Sequence, residues 1–409
     1  MLPVRCTPDA LFRWLWALAV AQQCTMVTDW AGSPLGWLLI AAIVAVLLRP
    51  GDGRLFGALL VLDLLRIWRD SPFIPNHVFF MGCAEAIILG VLLWRRWRPV
   101  ADGGSATWAA ALRAGLLVLY AFAVLHKLNS DFFDPRHSSA VSLTSDMLGP
   151  LDWRWSWLAI LGTLAIETAI PLLIAVRATR IAGLLLGAGF HTMLAIPDFT
   201  VTSDSLYAFA AVVWPLYLLF VPTTATAQVQ AGLNRLPWLA SPLRRAALLA
   251  GVLALLGAIA VGTTLAADRP LAAAVNRFGF LIFCCCAPLV ALVLLRLARA
   301  RWRRAAPVAE PALPGSRLVP VVALLLVVNG LSPYWGGKTQ TCFSMYSNLR
   351  TEGGVWNHLI LPPEMRLLAG QDDLVRLVES SDPLLRRVYI EPGLLINAWE
   401  LRRRKRTSG

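Results

Sequence analysis

Charge is scarce in this sequence. Only 15% of its 409 residues are Asp, Glu, Lys or Arg, 57% are apolar, and the mean hydropathy is +0.63. Soluble domains carry roughly 25% charged residues, so a soluble enzyme and a disordered chain are both excluded. The alternating ten-residue segments of an outer-membrane barrel are missing as well. No C-x-x-C or C-x-x-C-H occurs among the seven cysteines, which removes zinc-ribbon and c-type haem readings. The five histidines form no H-x-x-H, H-x-x-x-H or H-E-x-x-H spacing, so no metal is expected. Cys284, Cys285 and Cys286 lie inside an apolar run and read as small hydrophobes. The net charge of +13 is no sign of a nucleic-acid partner. Much of the arginine sits in short loops between apolar runs, where it sets topology.

What is present is a series of apolar runs near the roughly 20 residues a transmembrane helix needs. Candidates lie at 11–28, 35–49, 54–69, 77–95, 107–128, 154–176, 178–196, 204–222, 243–266, 275–298 and 317–333. They predict an all-α, polytopic bundle of ten or eleven spans, ten if the first run is a cleaved signal segment. Residues 335–409 hold 19 of the 61 charged residues, about one in four, against about one in eight before them. The chain therefore divides into a transmembrane domain, 1–334, and a small polar segment, 335–409. One alternating set of loops up to residue 334 holds 19 basic residues and the other set seven. The positive-inside rule then puts the N-terminus in the cytoplasm, and the 129–153 loop and the C-terminal segment outside. The basic run Arg402 to Arg406 does not fit neatly, but it is far from any span. Membrane lipids are the expected surroundings, and the many span-end tryptophans are expected interface anchors.

Ionisable groups at membrane depth are costly and mark sites by default. Asp63, Arg66 and Asp70, at i, i+3 and i+7, share one helical face and are expected to neutralise one another. Glu85 lies two turns into the fourth span, on the same broad face as His77 but too far along the helix to touch it. Glu167 precedes Pro171 by four residues, so its carbonyl loses a helical partner and the helix bends there. Two readings stay open for Glu167: an acid lining a cavity, and an acid paired to a neighbouring helix. His191, near a helix end, is either a packing residue or a pocket group. The segment 120–140, YAFAVLHKLNSDFFDPRHSSA, carries the most information. Its helix ends in His126-Lys127-Leu128-Asn129, followed by a stretch too polar for lipid and too aromatic for a linker. It predicts a folded outer loop closing a pocket, with Lys127 at the mouth.

Three segments together resemble the HTTM (horizontally transferred transmembrane) domain family, which includes the vitamin K-dependent gamma-carboxylases. Asn76-His77-Val78-Phe79-Phe80 is similar to that family's Asn-His-aromatic motif. His126-Lys127-Leu128-Asn129-Ser130-Asp131-Phe132 resembles its Lys-Leu-Asp-x-Asp-Trp motif. Thr341-Cys342-Phe343-Ser344-Met345 follows the last span as the family's Phe-Ser-Trp segment does. The resemblance covers roughly residues 10–350 and implies a quinone-linked, carboxylase-like lyase. Lys127 would be the base that deprotonates a hydroquinone, either vitamin K hydroquinone or menaquinol. His77 would assist carbanion chemistry at a carboxylate-bearing substrate. Asn76, His126, Asn129, Asp131, Glu85, Glu167 and His191 are the surrounding pocket candidates. Phe132 and Met345 stand where the carboxylases have Trp, and their large lumenal β-rich domain has no counterpart in residues 335–409. A non-catalytic lipid- or quinone-binding protein and a small-molecule transporter are therefore the rival readings.

Within 335–409, Gly353-Gly354 predicts a tight turn. Asp372 to Val378 predicts a short helix capped by Asp372, and Val388 to Ile390 a strand. On the predicted side of Lys127, the segment is either a lid over the pocket or a structural cap.

Overall fold

The structure is a computed structural model. It describes residues 9–26, 33–71, 74–97, 105–196, 206–236, 241–267, 272–302, 318–369, 371–382, 385–391, 393, 395–398 and 401–402. Several basic residues of the loop comparison lie outside these, namely Arg5, Arg98, Arg269, Arg303, Arg304 and Arg317, as does the basic run after Arg402.

Thirteen helices make up the membrane-like body among the described residues. They are α1 (Ala10–Met26), α2 (Pro34–Leu48), α3 (Gly53–Asp70), α4 (Asn76–Trp97), α5 (Ser105–Leu125), α6 (Ser139–Leu148) and α7 (Trp153–Ala175). Then follow α8 (Arg180–Ala195), α9 (Leu206–Leu218), α10 (Thr223–Asn234), α11 (Pro242–Ala266), α12 (Ala272–Trp302) and α13 (Leu318–Gly330). Eleven of these fall on the eleven apolar runs. The short α6 and α10 lie between runs and were not expected.

Local chemistry explains many of the starts. Ser33 accepts from the Gly36 amide at 3.1 Å with Pro34 opening α2, and Asp152 accepts from the Trp155 amide at 3.0 Å to cap α7. Asp52 and Ser241 cap α3 and α11 in the same way.

Among the described residues five helices are long and apolar enough to cross a membrane, or six if α9 and α10, bent by 111° at a short break, form one span. The body is thus helical, with the several apolar helices of a multi-pass membrane protein. The count of ten or eleven exceeds what length and composition support. α1, α2, α8 and α13 have 17, 15, 16 and 13 residues, and α3 carries Asp63, Arg66, Arg69 and Asp70. α7 and α11 show lipid-like apolar faces, with Trp155, Leu158, Leu161, Leu243, Leu255 and Leu265 exposed.

The core runs through α1, α9, α12, α5 and α13. α5 packs on α13 and α7, and α8 on α7 and α9. α13 approaches α5 closely because Gly330 has no Cβ, which would otherwise collide with the Phe122 ring.

Residues 335–369 wrap over one end of this body. Gly353 and Gly354, at φ 61° and 76°, form the expected turn. Two expectations for the remainder are corrected. Residues 374–376 form a strand, β1 (Leu374–Arg376), antiparallel to β2 (Leu395–Asn397), with Val375 opposite Ile396. Seven residues are too few to hold an isolated helix, whereas β2 supplies ladder partners. Residues 386–390 instead form a π-helical turn, closed by Glu391 N–H donating to Arg386 C=O at 2.9 Å. Asp382 starts that turn by accepting from the Arg386 amide at 3.1 Å through its carbonyl.

Candidate functional site

The end of α5 is where the polar residues converge. Tyr120 and Lys127 are seven residues apart, two helical turns, and therefore on one face. That face borders a cavity of about 440 Å³, within the range of small-molecule sites. α4 contributes Asn76 and His77, α7 Thr163 and Glu167, and α8 Phe190 and His191. Phe209 of α9 stands between the two histidines, its ring centroid 6.5 Å from that of His77 and 5.0 Å from that of His191. The roof comes from residues after α13, including Thr339, Ser344, Met345, Tyr346 and Glu352.

Lys127 is buried. Its Nζ lies 2.7 Å from Glu167 Oε2 and donates to the carbonyls of Ala123 at 3.3 Å and Met345 at 3.2 Å. Two carbonyls take two of the three N–H donors of the ammonium group, and the Glu167 carboxylate faces it as an ion pair. The Phe132 ring centroid is 5.8 Å from Nζ, a cation–π distance. Glu167 thus satisfies both open readings, since it pairs across helices and lines the cavity. His77 Nε2 is 3.0 Å from Gln23 Oε1, so the amide oxygen accepts and Nε2 carries the proton. His191 Nε2 is 2.6 Å from Tyr120 Oη, which lies 2.5 Å from Tyr217 Oη.

The roof is conformationally costly. Thr341, Phe343, Tyr346 and Asn348 all have positive φ, from 48° to 70°, and no other described non-glycine residue does. Such backbone persists only where the surroundings over-determine it. The clamps come from the first two resembling segments. Asn76 Oδ1 accepts from the Phe343 amide at 2.8 Å, Lys127 donates to Met345, and Asn129 Nδ2 donates to Ser347 C=O at 2.6 Å. Ser139 adds a 2.5 Å bond to Tyr346 C=O. Glu352, at the cavity edge, has its carboxyl pushed up by burial, against the opposing pull of the Thr351 amide, Arg350 and Arg366.

Four of the candidate pocket residues do not line the cavity. His126 is buried and donates from Nε2 to Gly330 C=O at 3.0 Å, fastening α5 to α13. Asn129 ties a tight turn, accepting from the Phe132 amide at 2.9 Å while donating to His126 C=O at 2.7 Å. Asp131 points to Arg350 at 2.5 Å, away from Lys127. Glu85 accepts from Trp16 Nε1 at 2.9 Å deep in the bundle. Successive residues diverge by about 100° around a helix, so neighbours of Lys127 in sequence face elsewhere. Lys127, His77, Asn76, Glu167 and His191 do meet at the cavity.

Gln23, Tyr120 and Tyr217 were not singled out. A signal existed for two of them: Gln23 is an amide within an apolar run, and Tyr120 precedes Lys127 by two turns. Nothing in the sequence marks Tyr217. Among the described residues no group of three or more His, Cys, Asp or Glu is placed to hold a metal. No protein-family model, characterised protein or solved structure matches this chain.

Proposed function

We propose that this chain is a membrane enzyme of the HTTM type that binds a lipid-soluble hydroxylated ring, of the hydroquinone class, and deprotonates it in the cavity beside Lys127. The observation that carries the reading is the convergence of one lysine, two histidines and two acids on a largely apolar cavity of about 440 Å³. Vitamin K hydroquinone or menaquinol fits that chemistry, and a carboxylase-like lyase acting on a carboxylate-bearing substrate is the reaction that the motif resemblance implies. In that scheme O2 and the hydroquinone generate a strong base, the substrate loses a proton, and CO2 adds to the carbanion. Lys127 acts as base only after the Glu167 pair opens, because the ion pair and two carbonyl hydrogen bonds hold its ammonium group. The ten- or eleven-span topology, with a cytoplasmic N-terminus, belongs to this reading. It places the cavity at the extracytoplasmic end, among the loops that hold fewer basic residues.

The closed Lys127–Glu167 pair also favours a second reading, a binding protein that holds a quinone or lipid without turning it over. Mass spectrometry of lipids copurified with the intact protein tests both, since absence of any quinone-class molecule sinks the first and absence of any enriched lipid as well sinks the second. Conversion of added hydroquinone to epoxide separates enzyme from binder. Lys127→Arg keeps the charge but does not deprotonate. Loss of turnover with retained quinone is the expected result, and full turnover would remove Lys127 as the base.

A further inference from the structure

Lys127 is not the only proton-handling group on the cavity wall. His191 faces it from α8, and its two ring nitrogens are in different situations. Nε2 is held by Tyr120 Oη at 2.6 Å, while no described residue hydrogen-bonds Nδ1. Tyr120 Oη is in turn 2.5 Å from Tyr217 Oη. The second tyrosine reaches that position only because residue 187 of α8 is glycine, whose added Cβ would collide with the Tyr217 hydroxyl. Three helices, α5, α8 and α9, thus build a buried His–Tyr–Tyr chain that ends at the cavity.

A phenol hydroxyl has one proton and accepts through its oxygen. If Tyr120 donates to Tyr217, its oxygen accepts the Nε2 proton of His191. That fixes the tautomer and leaves the Nδ1 lone pair for a ligand. A third group that orients a histidine base is the arrangement general-base sites share.

We propose that His191 is a ligand-contacting proton acceptor in this cavity, with Tyr120 and Tyr217 as positioning residues and Lys127 as the cation that balances the resulting anion. This rests on the reading of the cavity as a site for a hydroxylated ring; it gives the first of a hydroquinone's two protons to His191 and leaves the second to Lys127 once its pair with Glu167 opens. The ligand O–H bond breaks, an Nδ1–H bond forms, and the electron pair stays on oxygen as a phenolate. Imidazolium and ammonium then face one phenolate and Glu167, so the cavity stays close to neutral. The ionisable groups facing His191 are Tyr120 and Lys127 on α5, Glu167 on α7, His77 on α4, Tyr217 on α9 and Glu352 on the roof. Of these, Lys127 is held by Glu167 and two carbonyls, and His77 rests through Nε2 on the Gln23 amide, whereas His191 is the histidine backed by the Tyr120–Tyr217 hydroxyl chain.

The test uses the full chain in lipid nanodiscs and an alkyl-substituted 4-nitrophenol, whose anion is yellow. Binding is followed by saturation, and proton transfer by the phenolate band of the bound probe across pH. The wild-type protein is expected to bind the probe and to ionise it at higher proton concentration than free solution does. His191→Gln keeps an amide at the Nε2 position and loses the Nδ1 acceptor. It is expected to bind the probe with similar affinity and to shift its ionisation by about tenfold or more in proton concentration. Tyr120→Phe removes one oxygen and keeps the ring, so a smaller shift in the same direction is expected. It also serves if the His191 variant does not fold. Unchanged ionisation in both variants would overturn the role of His191 while leaving the cavity as a binding site. Failure of the wild-type protein to bind the probe would overturn the ligand-cavity reading and this proposal with it.

Discussion

Two buried charge groupings sit in this bundle, and they differ in how they are closed. In α3, Arg66 lies 2.6 Å from Asp63 and 3.7 Å from Asp70, so the cluster forms on a single helix through i, i+3 and i, i+4 spacing. Asp63 and Arg66 are buried and backed by Glu85, which takes its hydrogen bond from Trp16, while Asp70 is partly exposed at the helix end. Lys127 and Glu167 are 40 residues apart on α5 and α7, and their 2.7 Å contact forms the wall of a cavity. A local cluster neutralises itself as the helix folds and has no need of an opening. A cross-helix pair depends on how helices dock, and here the docking leaves space beside it. Equal chemistry thus yields a structural plug in one place and a candidate site in the other.

The largest expected effect falls on the plug. Asp63→Asn leaves Arg66 buried with a weakened partner, and breaking such a pair costs about 3–5 kcal/mol. Thermal unfolding in one detergent should show a large loss of midpoint temperature. A near-wild-type midpoint would mean that Asp70 and Glu85 suffice, and that the plug is not the rigid element described.

Next comes Asn129→Ala. It removes hydrogen bonds to Phe132, His126 and Ser347, at about 1 kcal/mol each. The roof should loosen over the cavity, read as faster proteolysis within 340–350. Unchanged cleavage would show that Asn76 and Ser139 hold the roof without it.

Glu167→Gln sharpens the comparison most directly. The cavity offers room for water, Lys127 keeps its bonds to Ala123 and Met345, and the new amide oxygen still accepts. A stability loss of about 1–2 kcal/mol is expected, smaller than for Asp63→Asn, together with altered affinity for cavity ligands. Equal losses at the two sites would dissolve the distinction between plug and site.

The smallest effect is a pH dependence in the roof. His358 Nε2 donates to Leu125 C=O at 3.0 Å, while Nδ1 accepts from the amides of Ile360 at 3.2 Å and Leu361 at 2.9 Å. Burial lowers its pKa below the ordinary histidine value. The neutral ring is the one that fits, because a proton on Nδ1 would face two donors. This contribution is therefore complete above the ordinary value of about 6.5 and is lost as pH falls through the lowered one. Hydrogen exchange of the Ile360 and Leu361 amides, corrected for intrinsic rates, should accelerate as pH falls from 7 to 5. A flat profile would show that the ring is not what anchors the segment.

Much of the body was legible in the sequence. The eleven apolar runs are helices because hydrophobicity over 15–25 residues needs no knowledge of neighbours. The Asp63–Arg66–Asp70 pairing follows from helix geometry alone. The roof segment was harder to read. Its two short strands and one π-helical turn depend on which partner edge or cap lies nearby, and seven-residue patterns carry too little information to decide that. Within the motif HKLN, adjacency misled: His126, Asn129 and Asp131 turned out to fasten α13, a turn and the roof.

The sequence by itself determined the membrane-like body, the polar C-terminal segment, the local ion-pair cluster and the place of Lys127 at the end of an apolar helix. Tertiary structure alone decided that Glu167 pairs with Lys127, that Tyr217 reaches Tyr120 past Gly187, and that His77 and His191 flank one phenylalanine. The reason is geometric. Periodicity reports which residues share a face of one helix, but the rotation and depth at which two helices dock come from the packing of all their neighbours. Only that packing chooses which faces meet across a cavity.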